Sequence, residues 1–234
     1  MPYRLARPRR DAVIPRKLAW YDALGLPTGA LAFWPDKSGN GNDTQVQGTG
    51  TARATVTANQ LNGRPTVLFD GGDQYQLPSA VTRMTQGANT LIALANSTDD
   101  TTVQRIVRIN RLAATAGALG LAYSNVSGQV IYVHGGTNLV VSGVTKSNYN
   151  LFACRHANGI AQAVSVNGAA ESTDALGYDF EVDTGGWIGA TLGTSQWLTG
   201  GIAELRIYDY ALSYAELRRE LADIAQRWGG LTLQ

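Results

Sequence analysis

The densest group of residues able to do chemistry is the loop 36–43, Asp-Lys-Ser-Gly-Asn-Gly-Asn-Asp, in which oxygen-bearing side chains alternate with glycines. Asp36, Ser38 and Asn40 reproduce the first ligand positions of a calcium loop, whose carboxylate and amide oxygens replace the hydration shell of a hard cation. The pattern then breaks, because Gln47 stands where a bidentate glutamate would close the shell and no helical pattern flanks the loop. Two expectations follow: Ca²⁺ at Asp36 and Asn40, or a tight loop shaped by glycines and Asx turns. Asp70-Gly71-Gly72-Asp73 reads as the turn after a buried strand.

Aromatic rings are the other chemistry on offer. Trp20, Trp34, Trp187, Trp197 and Trp228 are able to stack on sugar faces, although rings of this size more often fill cores. Trp197 lies in the polar run Thr194-Ser195-Gln196-Trp197 and is the one expected at the surface; with Asp73 and Tyr75 it makes the expected glycan contact. Catalytic constellations are missing. The sequence has no Gly-x-Ser-x-Gly elbow, no Walker loop and no His-Glu-x-x-His helix. His134 and His156 sit apart in strand-like runs and read as structural histidines, and Cys154, the single cysteine, reads as a small buried hydrophobe outside any disulfide.

Charge is placed unevenly. The net charge of +1 creates no global field for nucleic acid or an anionic membrane, yet Arg4, Arg7, Arg9, Arg10, Arg16 and Lys17 face only Asp11 within the first 17 residues. Pro2, Pro8 and Pro15 make this stretch an extended arm over residues 1–19. Its cations suit either loose contact with nucleic acid or a carboxylate-bearing neighbouring subunit, and the second is expected, since no nucleic-acid motif accompanies them. No apolar run of about 7–15 residues follows the arm, and none of about 18 occurs anywhere, so neither a secretory signal nor a membrane span is expected, and synthesis in the cytoplasm is.

Hydrophobic residues at 44% and charged residues at 16% supply a core and predict one domain over residues 20–234. Short apolar runs separated by Gly, Asn, Asp and Ser predict strands over 66–69, 90–95, 105–109, 119–123, 130–134, 139–144, 150–156, 161–166 and 203–208, the rhythm of an all-β sandwich or jelly roll. Asn158-Gly159 and Asn167-Gly168 mark hairpin turns, with Val164 and Val166 on one face and Ser165 and Asn167 on the other, wet one. Near the end the period changes to 3.6. Ser213 and Glu216 form a capping box, Leu217, Leu221, Ile224 and Trp228 share a face, and a helix over 214–228 is predicted, with Arg218, Arg219, Glu220 and Asp223 in water.

Three stretches together resemble the concanavalin A-like lectin and glucanase superfamily in its laminin-G-like branch. They are LAFWPDKSGNGND (31–43) with LNGRPTVLFDGGDQYQL (61–77); the hairpin ending Val166-Asn167-Gly168; and Trp187-Ile188-Gly189-Ala190 with LTGGIAELRIYDYALS from Leu198. The resemblance implies a concanavalin A-like jelly-roll β-sandwich closed by one C-terminal helix, with calcium held on a sandwich edge in many relatives and with Asp70 and Asp73 as carboxylates for a metal or a sugar hydroxyl. Glucanases of the superfamily use two glutamates flanking an aspartate; the nearest match, Glu181-Val182-Asp183-Thr184-Gly185, lacks the second glutamate, so no catalysis is expected. Sequences of this shape are frequent in tailed-phage virion proteins and bacterial surface proteins. The expected function is a non-enzymatic structural or adhesive virion component, a capsid decoration or a fibre or tail-associated protein, tied to other virion proteins or to copies of itself by the arm. The alternative is a carbohydrate-binding lectin module on a bacterial surface.

Overall fold

A computed structural model describes residues 15–48, 50–83, 88–110, 119–134, 137–157, 160–174, 185–191 and 195–234. In chain order the strands are β1 (Ala19–Asp22), β2 (Gly29–Ala30), β3 (Thr55–Leu61), β4 (Arg64–Asp70), β5 (Tyr75–Gln76), β6 (Ala88–Ala95), β7 (Gln104–Asn110) and β8 (Leu119–Tyr123). They continue as β9 (Gln129–His134), β10 (Thr137–Ser142), β11 (Asn150–Ala157), β12 (Ile160–Val166), β13 (Ser172–Asp174), β14 (Gly185–Ile188) and β15 (Thr199–Tyr208). Two α-helices, α1 (Ser79–Thr82) and α2 (Tyr214–Arg227), and a 3₁₀ turn at Gly50–Ala52 complete the described elements. Among the described residues one sheet runs β13-β12-β11-β6-β15-β4-β3-β2, with β1 also on β15, and the second runs β10-β9-β8-β7-β14-β5. The all-β sandwich with one C-terminal helix is the architecture the sequence predicted.

Side chains from the two inner faces make the core. Tyr21, Trp34, Tyr75 and Phe69 form a chain of tilted and edge-to-face rings with centroids 6.1, 6.2 and 6.0 Å apart, and Tyr123 meets Phe152 edge-on at 5.5 Å. Such pairs contribute about 0.5–1.5 kcal/mol each beyond the area they bury. The outer faces differ. On the larger sheet, α2 lays Leu217, Leu221, Ile224 and Trp228 against the strands, so β6 and β11 are buried on both sides and read as near-continuous apolar runs. On the smaller sheet, β9 alternates buried Val130 and Tyr132 with half-exposed Ile131 and Val133, and no described helix lies across that outer face.

Two expectations about wet surfaces are corrected here. Ser165 is buried, its hydroxyl donating to the Ala169 carbonyl at 2.7 Å. Glu220 is buried too. It faces the sheet, where Arg206 and the Tyr208 hydroxyl bind its Oε2. Helical spacing put Glu220 outside the apolar stripe, but a buried arginine on β15 draws it inward. The helix start is as predicted, with Ser213 and Glu216 making both bonds of a capping box, and the helix ends at Arg227 with Trp228 as its cap.

Candidate functional site

The predicted site residues separate. Asp73 and Tyr75 do not lie beside Trp197 on a surface. Tyr75 is wholly buried, its hydroxyl donating to the Leu31 carbonyl at 2.7 Å, and Asp73 is 4% exposed, accepting from the Asp70 amide at 2.9 Å. They stabilise the turn after β4. Burial, with the charge of neighbouring Asp70, raises the Asp73 carboxyl to about 6. The loop 36–43 is likewise organised by its own side chains. The Asp36 carboxylate accepts from the amides of Trp20, Ser38 and Asn42 and from the Ser38 hydroxyl at 2.7–2.9 Å, while the Asn40 amide nitrogen donates to the Lys17 and Leu18 carbonyls. This is the Asx-turn arrangement. Among the described residues no cluster of three His, Cys, Asp or Glu side chains suits a metal.

Of the remaining candidates, Trp34 and Trp228 are core, and Trp20 is enclosed by Arg206, Arg227 and Lys17 at 4.7–5.5 Å from its ring. His156 and Cys154 are buried, and burial pushes the Cys154 thiol well above the ordinary range. Arg4, Arg7, Arg9 and Arg10, the Asn158-Gly159 turn, Glu181 and Asp183 lie outside the described residues, as does the side chain of His134. Arg16 is exposed. Lys17 folds back onto the domain, pairing with Glu220 at 3.1 Å, and the Leu18 amide donates to the Ile207 carbonyl.

Trp197 is half-buried and lines a cleft of about 430 Å³ with Asp99, Thr102, Gln104, Gln196 and Thr199. The surroundings hold it in place. Thr191 and Ser195 exchange backbone bonds at 2.8 and 3.2 Å, and Gln196 then takes a left-handed φ of 51° that turns the chain into β15. Gln196 is held there by Arg105, which donates from Nη2 to its Oε1 at 2.7 Å, and by the Thr191 hydroxyl at 2.8 Å.

The opposite wall is equally fixed. Gln104 donates to Asp99 Oδ2 and Thr102 Oγ1 at 2.9 and 2.6 Å and accepts from the Thr199 amide at 2.5 Å. Hydrogen bonds from Thr101, and then Thr102, hold the Asp99 carboxyl below its ordinary range, so it is ionised at neutral pH. Glycines at 200 and 201 let the loop after β6 press against β15. A Cβ at 200 would collide with the Asn96 carbonyl of that loop, and one at 201 with the hydroxyl of Tyr149, just before β11.

The cleft therefore joins one aromatic face to a preset carboxylate, two amides and two hydroxyls, an arrangement suited to a ring with polar edges. Sequence reading missed Asp99, Thr102, Gln104 and Gln196. The run Ser97-Thr98-Asp99-Asp100-Thr101-Thr102 carried the signal, six consecutive polar residues of hydroxyl and carboxylate type between two strands.

The layers and the loops at this pole define a lectin-like β-sandwich module. The chain belongs to the Laminin_G_3 family of the concanavalin A-like lectin/glucanases superfamily, whose model matches residues 69–218. It is similar in fold to the CBM40 of the Ruminococcus gnavus IT-sialidase bound to α2,3-sialyllactose, with 18% identity, TM-score 0.55, and 68% of this chain and 95% of that one covered. It is similar too to domain 4 of AbnA, a GH43 extracellular arabinanase from Geobacillus stearothermophilus in complex with arabinotriose, with 16% identity, TM-score 0.61, and 88% and 98% covered. The botulinum neurotoxin serotype D binding domain matches at 13% identity and TM-score 0.63 over 93% of this chain; the chain spans about half the length of that domain, at 54%. No curated protein matches the sequence.

Proposed function

We propose that the protein is a non-enzymatic glycan-binding module that receives a sugar ring against Trp197. The observation carrying this reading is the half-buried indole beside Asp99, Thr102, Gln104 and Gln196, the first three bonded to one another and Gln196 held by Arg105 and Thr191 before any ligand arrives. Preorganisation lowers the ordering cost of binding. The lectin-like fold, and similar structures solved with bound oligosaccharides, support it. On a glycan array the protein should bind a restricted set of glycans. Trp197→Ala should weaken that binding by roughly 10–100-fold with an unchanged circular dichroism spectrum, the loss of one stacked ring. Silence of the wild-type protein across a broad array would sink the reading.

The setting we assign is adhesion from a tailed-phage particle, with the basic arm as anchor. Support comes from polarity. The arm's root at Leu18 bonds to Ile207 near the end of β15, whereas Trp197 precedes the start of that ten-residue strand. At about 3.3 Å per residue, the two lie roughly 30 Å apart along the strand. An anchor at one pole and a cleft at the other suit an adhesive component. Removing residues 1–14 should abolish co-sedimentation with particles and leave glycan binding intact; a full-length chain that stays monomeric and free of particles would refute this setting.

A further inference from the structure

Arg105, on β7, is 5% exposed. Its described partners are neutral: Nε donates to the Thr191 hydroxyl at 3.2 Å and Nη2 to Gln196 Oε1 at 2.7 Å. Nη1 is buried with no hydrogen-bond partner. None of the ion pairs among the described residues includes Arg105. Burial, with the like charge of Arg108, pulls its guanidinium down to about 9. A buried cation without a counter-charge is costly, and proteins keep such a group where an anion arrives to complete it.

The absence of a side chain at Gly120 gives Nη1 its place. Gly120 on β8 stands opposite Arg108, and a Cβ at Gly120 would lie 3.3 Å from Arg105 Nη1 and 3.6 Å from Arg108 Cγ. On the other side of Arg108 is the half-buried Trp187 of β14. By strand register these residues share the outer face of the smaller sheet, the face without a described helix. Arg105 also touches the Trp197 cleft through Gln196.

We propose that Arg105, flanked by Arg108 above the bare backbone of Gly120, binds a carboxylate or sulfate group, and that this group belongs to the glycan whose ring rests on Trp197. The planar guanidinium fork fits either anion with two parallel hydrogen bonds. This selectivity for acidic glycans rests on the glycan-binding reading above, and a free inorganic anion is the other source of the same chemistry.

The test uses the full chain on an array pairing neutral glycans with their uronate-, sialic acid- or sulfate-bearing counterparts, together with thermal unfolding in sodium sulfate against sodium chloride at equal ionic strength. Acidic members should bind at least tenfold better than their neutral partners. Arg105→Gln should bring that ratio near one, Arg105→Lys should retain part of it, and Gly120→Ala, which crowds Nη1 without removing charge, should lower it. A purely structural Arg105 would weaken acidic and neutral binding together, leaving the ratio unmoved, and that result overturns the proposal. So does an acidic-to-neutral ratio near one in the wild-type protein, even where Trp197→Ala abolishes binding, an outcome that leaves glycan binding itself intact. Stabilisation by sulfate that Arg105→Gln removes, with a silent array, would support the anion site and overturn its assignment to a glycan.

Discussion

Arg206 and Arg105 are both almost wholly buried arginines on the outer faces of opposite sheets, and their surroundings are opposed. Arg206, under α2, meets Glu204 at 2.6 Å, Asp223 at 2.5 Å and also Glu220. Burial alone would lower its guanidinium, but Glu204 and Glu220 raise it above the ordinary range. Glu204 is itself completed by the indole nitrogens of Trp20 and Trp228 at 2.8 and 2.6 Å and by Arg227 at 2.9 Å. Arg105 has hydroxyl and amide acceptors and a second arginine. One cation fastens a helix to a sheet; the other meets no carboxylate among the described residues. The contrast separates charge that holds the fold from charge held ready for a ligand.

The largest effect expected from breaking this contrast is at Arg206. Arg206→Met should destabilise the protein by about 3–5 kcal/mol in urea unfolding, because Glu204 and Glu220 would remain buried with much of their compensation gone. A loss below about 1 kcal/mol would mean that the network positions α2 without stabilising it. Arg105→Met should change stability by no more than about 1 kcal/mol in either direction, since it removes a buried charge that has no carboxylate partner among the described residues. Thr191 and Gln196 keep their mutual bond at 2.8 Å, so the substitution strands neither. If the two variants exchanged places, the contrast would be wrong.

The same contrast explains what the sequence made legible. Strands with strong apolar runs, such as β6, β8 and β11, follow directly from hydrophobic pattern, as does the helix with its Ser213–Glu216 box. β1, β2, β5 and β14 did not, because strands of two to four residues are specified by the ladders they join rather than by their own period. Glu220 read as solvated because an i, i+4 pattern has no knowledge of Arg206 fourteen residues upstream on another element. Trp197 was visible through its polar neighbours, whereas Arg105 was hidden as the first residue of a predicted strand. Asp73 and Tyr75 failed for a related reason: a motif lying near a turn does not say which way its side chains point, and both point inward.

Asp73 gives the smallest test, and it carries the contrast to the opposite charge. It is a buried carboxylate whose described hydrogen bond comes from the Asp70 amide and whose neighbouring charge, Asp70, has the same sign. Its folded pKa of about 6 lies above the ordinary 3.8, so the folded chain holds this proton more tightly than the unfolded one. The stabilisation tied to that proton is complete below about pH 4 and is lost as pH rises through about 6. Asp73→Asn keeps an acceptor for the Asp70 amide and removes the titration. Between about pH 4 and 6 the wild-type protein should lose about 1 kcal/mol relative to this variant, with a constant difference above that range. Parallel stability curves over this window would show that water reaches Asp73 and solvates its charge, leaving Arg105 alone of the pair as a buried charge without an opposite charge among the described residues.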